Sequence, residues 1–454
     1  MASLAVRESG VRAADLQAQR EALIEFAAQM YRPLHRCDQR AKGEQYVRGL
    51  LLEGRRKSIQ PMAARLADGD EEGLQNFITD SPWDDLPVRR RLAVRMTAEI
   101  EPQGWIVDDT ALPKDGKLSP GVAHQYCGAL GKTANCQSLV SVNAASDRAS
   151  CPLGWRLFLP ASWDEDEDRR RRARIPEDVR HVPKWQLALE IIDQLIEWGL
   201  PRQVVQADGG YGDSTLFRTG LEDRGLEYVV QVKGVTSAQP ADAVPVAPEY
   251  QGRGRPPKPR YPEKPVNLRD LVLTAGQEQT RTVGWREGDR GPLASQFIAI
   301  RVRPANDAQR DQDGVLPERW LLAEWPEEKQ EPVKYWISNL PAATSIITLV
   351  RLAKLRWRVE HDYRELKQCL GLDHYEGRTF TGLHHHLTCV TVAHAFLTCC
   401  RLARGDPTPS ALRRRQPDQP LPSPARPPDR AGLLARPLPG LPAQAAAMNL
   451  PKSY

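Results

Sequence analysis

Residues 355–378, LRWRVEHDYRELKQCLGLDHYEGR, carry two separate stripes when wound as a helix at about 100° per residue. Arg356, Glu360, Tyr363 and Lys367 follow at steps of four, three and four, so they stack along one line. Leu352, Leu355, Val359, Leu366 and Leu370 form an apolar stripe beside it. A helix that packs on the leucines therefore holds a carboxylate, set between two cations, at the margin of whatever it packs against. Taken alone the pattern is more often a surface helix with internal ion pairs. Two aspartates far upstream change that reading.

The first lies in GWIVDDTAL, residues 104–112, an apolar run that reads as a buried strand ending in Asp108, Asp109 and Thr110. HQYCGALGKTANCQSLVSVNAAS reads as two more strands, joined through residues 128–135, and GWRLFLP as another. KWQLALEIIDQLIEWGL, residues 184–200, is a strong amphipathic helix stopped by Gly199 and Pro201. RQVVQADGGYGD follows: a short strand, then Asp208, two glycines, and Asp213 or Ser214 as cap of the next helix. LEYVVQVKG closes the series as a further strand. This alternation of helix and strand predicts adjacent, largely parallel strands covered by helices, an α/β architecture.

Carboxylates at strand ends converge at one edge of an α/β sheet, where sites usually form. Asp108 or Asp109 ends one strand, Asp208 ends another, and Glu360 lies on a helix after the sheet is complete. Three close carboxylates repel unless they share cations, and oxygen-only donors suit Mg²⁺ or Mn²⁺ rather than zinc. Two such ions about 4 Å apart can activate an attacking oxygen and stabilise the leaving oxygen of a phosphodiester. Arg356 and Lys367, flanking Glu360, would then contact backbone phosphates.

The remaining chain frames this centre. Residues 1–98 read as a small helical domain broken at Pro82 and Pro87, with basic groups at 55–57 and 89–91 that suit DNA contact. DEDEDRRRRAR reads as a charged loop. The first part of the α/β core spans 99–234. Residues 235–341 open on a Pro- and Arg-rich loop and continue as strands with Trp285, Trp320, Trp325 and Trp336, a β-rich insertion. Residues 342–402 return to helix. The triplet His384, His385 and His386 invites a metal assignment, but helix neighbours point in different directions and cannot share one ion. Residues 403–454 read as a disordered tail, with 12 of the chain's 38 prolines beyond Gly405. So abrupt a loss of pattern is also what a displaced reading frame would produce.

Composition excludes little more. The net charge of +5 comes from the tail: nine Lys and Arg against three Asp follow Cys400, and the first 400 residues sum to −1. Overall charge is thus no argument for nucleic acid. The eight cysteines form no C-x-x-C pair and read as reduced thiols. No apolar run of about 18 residues and no signal-peptide core is evident, so a cytoplasmic, nucleoid-associated protein with no membrane partner is expected.

DDT after a first strand, ADGGYG after a later one, and RW-x-x-E-x6-K on a helix resemble the bacterial insertion-sequence transposases of the DDE superfamily, which have an RNase H-like domain. KDGKLSPGVAHQYCGALGKTANCQ, LGLDHYEGR and the histidine segment resemble one branch of them. The resemblance covers roughly residues 105–397. It implies an RNase H-like catalytic domain with a β-rich insertion, preceded by the small helical domain. It also implies Asp108, Asp208 and Glu360 as catalytic metal ligands for Mg²⁺ or Mn²⁺, with two ions. Asp108 is preferred to Asp109, since that branch tends to keep the first position, and only one of the two can face the site. Arg356 and Lys367 become DNA contacts, and Trp285 a candidate for base stacking. The family's helix signature has a tyrosine where this chain has Ala353. The implied partners are double-stranded DNA, as terminal inverted repeats and target, and a second copy in a synaptic homodimer. A metal-dependent structural nuclease of the same fold is the nearest alternative. A catalytically decayed DNA-binding protein is the next.

Overall fold

The computed structural model describes residues 2–405 apart from 55, 129, 251, 253–257 and 289–290, with side chains from residue 17 onward. The tail from 406 and the centre of the Pro/Arg loop lie outside the described residues.

Five helices come first: α1 (Ala2–Tyr31), α2 (Cys37–Leu51), α3 (Ile59–Ala63), α4 (Glu71–Thr79) and α5 (Leu86–Ile100). Pro87 does not break a helix; it sits in the first turn of α5, where its missing N–H has no helical partner to lose. Four strands follow, β1 (Gly104–Pro113), β2 (Ala123–Cys127), β3 (Lys132–Ala145) and β4 (Ser150–Phe158). Next are α6 (Ala161–Asp164), α7 (Glu167–Arg172) and α8 (Lys184–Glu197). The charged run expected as a loop is thus partly helical. Asp166 caps α7 by accepting from the Arg169 amide, and buried Arg170 bonds Asp164, Pro176 O and Val179 O.

The chain continues through β5 (Val204–Ala207), α9 (Gly209–Gly212), α10 (Thr215–Asp223), β6 (Tyr228–Val232), β7 (Ser237–Pro240), β8 (Val266–Asn267) and α11 (Leu268–Ala275). The stretch expected as pure loop therefore contributes strand β7, and the β-rich block contains a helix. Leu268 and Val272 bury one edge of α11 at i, i+4 spacing. Then come β9 (Arg281–Gly288), β10 (Gly291–Pro304), β11 (Arg319–Glu324), β12 (Lys334–Ser338), α12 (Ile346–Lys354), α13 (Trp357–Gln368) and α14 (Phe380–Arg404).

Among the described residues all twelve strands join one mixed sheet in the order β2-β3-β1-β5-β6-β12-β11-β10-β7-β8, with β4 beside β3 and β9 beside β10. β1 runs antiparallel to β3, while β5 lies parallel to β1 and β6 parallel to β5. β12 pairs antiparallel with β6, so the later strands extend the same sheet. The alternation read from 184–234 corresponds to α8, β5, α10 and β6, whose two strands continue the parallel arrangement from β1.

Helix α14 is the axis of the helical layer. Among the described residues it is the one helix long and apolar enough to cross a membrane, and 72% of its apolar window is buried in this fold. Its three consecutive histidines, 384–386, meet three different sets of partners. His384 donates from Nδ1 to Phe380 O, His385 lies between Ile78 O and Trp83 O, and His386 joins the Tyr46 hydroxyl to Gly371 O. The latter two tie α14 to the N-terminal helices, whose buried side chains share its core.

Candidate active site

The parallel register pairs Val107 of β1 with Ala207 of β5, so Asp108 and Asp208 follow at the same level of neighbouring strands. Both strands are almost wholly buried up to this point, and their first carboxylates lie side by side. Asp208 also caps the short α9 by accepting from the Gly210 amide at 2.9 Å. Gly212 lets that turn approach β6, since a Cβ there would lie 2.0 Å from Gln231 O.

The third carboxylate arrives on a helix that begins later than its sequence pattern predicts. The apolar stripe runs from Leu352 to Leu370, yet the chain breaks between α12 and α13. Leu355, Arg358 and Val359 donate to carbonyls three residues back, at 3.1–3.2 Å. These tighter bonds turn Arg356 toward the strand ends. Its Nη2 lies 3.0 Å from Asp108 Oδ2 and 3.6 Å from Asp208 Oδ2, and its Nη1 lies 3.2 Å from Glu360 Oε1. One guanidinium thus gathers all three expected carboxylates. Asp108 is nearly enclosed, whereas the Glu360 side chain is 63% exposed.

Burial raises the Asp108 pKa to about 7, with Asp208 and Asp109 adding to the rise and Arg356 opposing it. Burial also works against the Arg356 charge, but Asp108, Asp208 and Glu360 outweigh it and hold its pKa above the ordinary value. Asp109 faces elsewhere, as strand alternation requires. Its carboxylate pairs with Lys184 Nζ at 2.7 Å and accepts from Ser138 Oγ and the Tyr211 hydroxyl.

Lys367 reaches β1 itself, donating from Nζ to Ala111 O at 2.9 Å, and burial lowers its pKa. Tyr363, to which the sequence assigned no role, is buried with its hydroxyl 2.7 Å from Ser141 Oγ. Ser141 pairs across β1–β3 with Asp108 and accepts from Asn143 Nδ2 at 2.8 Å. Tyr363 therefore seats α13 at the level of Asp108. The available signal was its place on the Arg356–Glu360–Lys367 line; its strand partner lies 222 residues away. The opposite edge of α13 carries Glu365 to Arg401 of α14.

Trp285 is not grouped with these residues. It is half-buried on β9, edge-on to Phe297 at 5.9 Å, with Lys354 Nζ 4.6 Å from its ring centre. Ala353, at the family's tyrosine position, is buried in the small core between α12 and the outer strands.

As they stand, no three acidic, histidine or cysteine side chains among the described residues converge closely enough to hold an ion. The positive charge at the focus of Asp108, Asp208 and Glu360 is the Arg356 guanidinium. The donor set nonetheless fits a hard divalent cation: all three are carboxylates, Asp108 is fixed within β1 and Asp208 just past the end of β5, and they converge on one cation already. Arg356 would have to withdraw as such a cation enters.

Two comparisons with known proteins bear on this geometry. A profile described as DDE superfamily endonuclease matches residues 29–292, which include Asp108 and Asp208 and end before α12. The chain is also 28% identical over 189 residues to a protein of Microchaete diplosiphon named "Probable transposase for insertion sequence element IS701". That match covers 41% of this chain and spans about half, 47%, of the length of the relative.

Proposed function

The chain belongs to the DDE superfamily of endonucleases, and on that footing we propose that it is an insertion-sequence transposase. In this reading it cuts DNA at the ends of its element and joins the freed 3′-hydroxyl to a target. The observation that carries the reading is the meeting of Asp108, Asp208 and Glu360 at one guanidinium. The strand order β4-β3-β1-β5-β6, three antiparallel strands and two parallel, supports an RNase H-like core. The strands from β7 to β12 are then its insertion, and the helices before β1 its N-terminal domain.

Asp108, Asp208 and Glu360 would hold Mg²⁺ or Mn²⁺. When bound, two such ions would supply activation of the attacking oxygen and stabilisation of the leaving one. The chain's own residues do the rest. Asp108 and Asp208 are rigid because β1 and β5 are hydrogen-bonded neighbours, and Glu360 closes the third side from an exposed helix edge. Arg356, displaced from the carboxylates, carries its charge to a phosphate oxygen of the scissile strand, where its planar fork matches the geometry. Lys367 supplies a second phosphate contact on the same line, and half-buried Trp285 is kept as a candidate for contact with an unstacked base. The partner is double-stranded DNA, as element ends and target, held by a homodimer in the synaptic complex.

Purified protein with Mn²⁺ or Mg²⁺ and a plasmid carrying the element's ends tests this. Nicking and joined products are expected from the parent, and neither from Asp208→Ala or Glu360→Ala. Nicking without joined products, and no inverted repeats around the gene, would reduce the reading to a structural nuclease. Equal cutting by both variants would overturn the site.

A further inference from the structure

Four consecutive strands of the outer sheet each send one side chain to Lys354, the last residue of α12. Trp285 of β9, Phe297 of β10 and Trp336 of β12 have their ring centres 4.6, 5.3 and 5.6 Å from Nζ. Glu324 of β11 accepts from Nζ at 2.7 Å. Both partners of that pair are largely buried, at 15% and 10% side-chain exposure. An ammonium so enclosed has one favoured place, because the ring faces and the carboxylate attract it from separate directions. Three residues on, the Trp357 ring is covered by the Arg286 guanidinium, 3.5 Å from its centre. Arg286 is the neighbour of Trp285 on β9. Successive residues of one outer strand therefore grip the chain on both sides of Leu355 and Arg356.

What lies between the grips is the break between α12 and α13, which aims Arg356 at Asp108 and Asp208. An uninterrupted helix needs no outside hold at this point; a turn closed by three-residue bonds does. We infer that the outer strands β9–β12 set the position of Arg356 and Glu360. Lys354, Trp285 and Arg286 are thus positioning residues for the carboxylate centre. The outer sheet is thereby joined mechanically to the site, so that a load on β9 is felt at Arg356. The inference rests on the nuclease reading for its consequence in catalysis, but not for the grip itself.

The test uses the full chain. Lys354→Met alone would leave Glu324 buried and unpaired, so the variant is Lys354→Met with Glu324→Gln, which removes both charges together. Two readouts are taken, amide hydrogen exchange and nicking of element-end DNA with Mn²⁺. Exchange across residues 354–361 should rise about ten-fold while α14 and β1 keep parental rates, as expected of a local release. Nicking kcat should fall about ten- to a hundred-fold with KM for DNA within about two-fold, since a misplaced group costs turnover rather than binding. Unchanged exchange at 354–361 overturns the inference, even if nicking is lost. Exchange raised throughout the protein also overturns it, since Lys354 would then be a general stability element. A raised KM with parental kcat overturns it in favour of a DNA-binding surface. If the parent nicks no DNA, the nuclease reading fails, and hydrogen exchange still decides the grip.

Discussion

Arg356 Nη2 stands 3.0 Å from Asp108 Oδ2, so the innermost carboxylate of the centre is neutralised by the residue expected to bind phosphate. The same guanidinium reaches Asp208 and Glu360. It thus competes with any divalent cation for one set of oxygens. Arg356→Gln removes that competitor and leaves the carboxylates to repel. The variant should lose roughly 1–3 kcal/mol in EDTA, the lower end if the exposed Glu360 contributes little. It should regain more than the parent on adding Mn²⁺, because binding to the folded state alone raises stability. Thermal melts with and without Mn²⁺ read both effects. Equal midpoints for parent and variant in EDTA would remove Arg356 from the role of counter-ion.

Asp108 and Asp109 are adjacent in sequence and opposite in consequence. Asp108 faces Arg356; Asp109 pairs with Lys184 Nζ at 2.7 Å. Asp108→Asn should lower nicking by at least about a hundred-fold with little change in melting temperature, as for loss of a charge at the reacting centre. Asp109→Asn should cost about 1 kcal/mol of stability, the value of a partly exposed pair, with nicking mostly retained. Kinetics and melts on both variants separate the assignments, and a reversal of the two phenotypes would exchange them.

Tyr363 offers a finer test of how α13 is seated. Phe at this position keeps the buried ring and removes only the hydroxyl 2.7 Å from Ser141 Oγ. Ser141 retains its Asn143 bond, so the loss should be about 1 kcal/mol. The readout beyond stability is turnover: nicking should fall several-fold while DNA affinity, followed by fluorescence anisotropy, stays at the parental value. Parental turnover would make Tyr363 a packing residue only.

The parts of this molecule that the sequence made legible are those set by local pattern. The strands at β1, β3, β5 and β6 are legible as strands, Asp208 follows the end of β5, and Glu360 sits on a striped helix; β1, expected to end at Asp108 to Thr110, instead runs on to Pro113, because its pairing with β3 continues that far. What escaped is what long-range contact decides. The break at Leu355 and Arg356 has no glycine or proline to mark it; its neighbours Lys354 and Trp357 meet Trp285 and Arg286 of β9, about seventy residues earlier. Tyr363 has its partner on β3. The helix in DEDEDRRRRAR is closed by Arg170 bonds to Pro176 O and Val179 O, which no periodicity of charge reveals. The N-terminal helices looked separable in sequence, yet His385 and His386 of α14 reach Ile78 and Tyr46 within them and Trp83 in the connection between α4 and α5.

Those histidines set an acid limit on stability. His386 donates from Nε2 to Gly371 O and accepts at Nδ1 from the Tyr46 hydroxyl, an arrangement that requires the neutral ring. Burial lowers its pKa to about 3, and lowers that of His384 to about 4 despite the opposing pull of Asp85. Both values lie below the unfolded value of about 6.5. The unfolded chain therefore binds more protons than the folded one as pH falls from about 6.5 toward 4. The stability is present in full above the unfolded pKa and is lost through that window, at up to about 1.4 kcal/mol per pH unit for each histidine. Urea midpoints measured at pH 7, 6, 5 and 4 should fall accordingly. His386→Gln should start from a lower midpoint at pH 7, having lost its bond geometry, but show a slope shallower by close to one proton between pH 6 and 4. A slope identical to the parent would mean that His386 is already protonated in the folded protein.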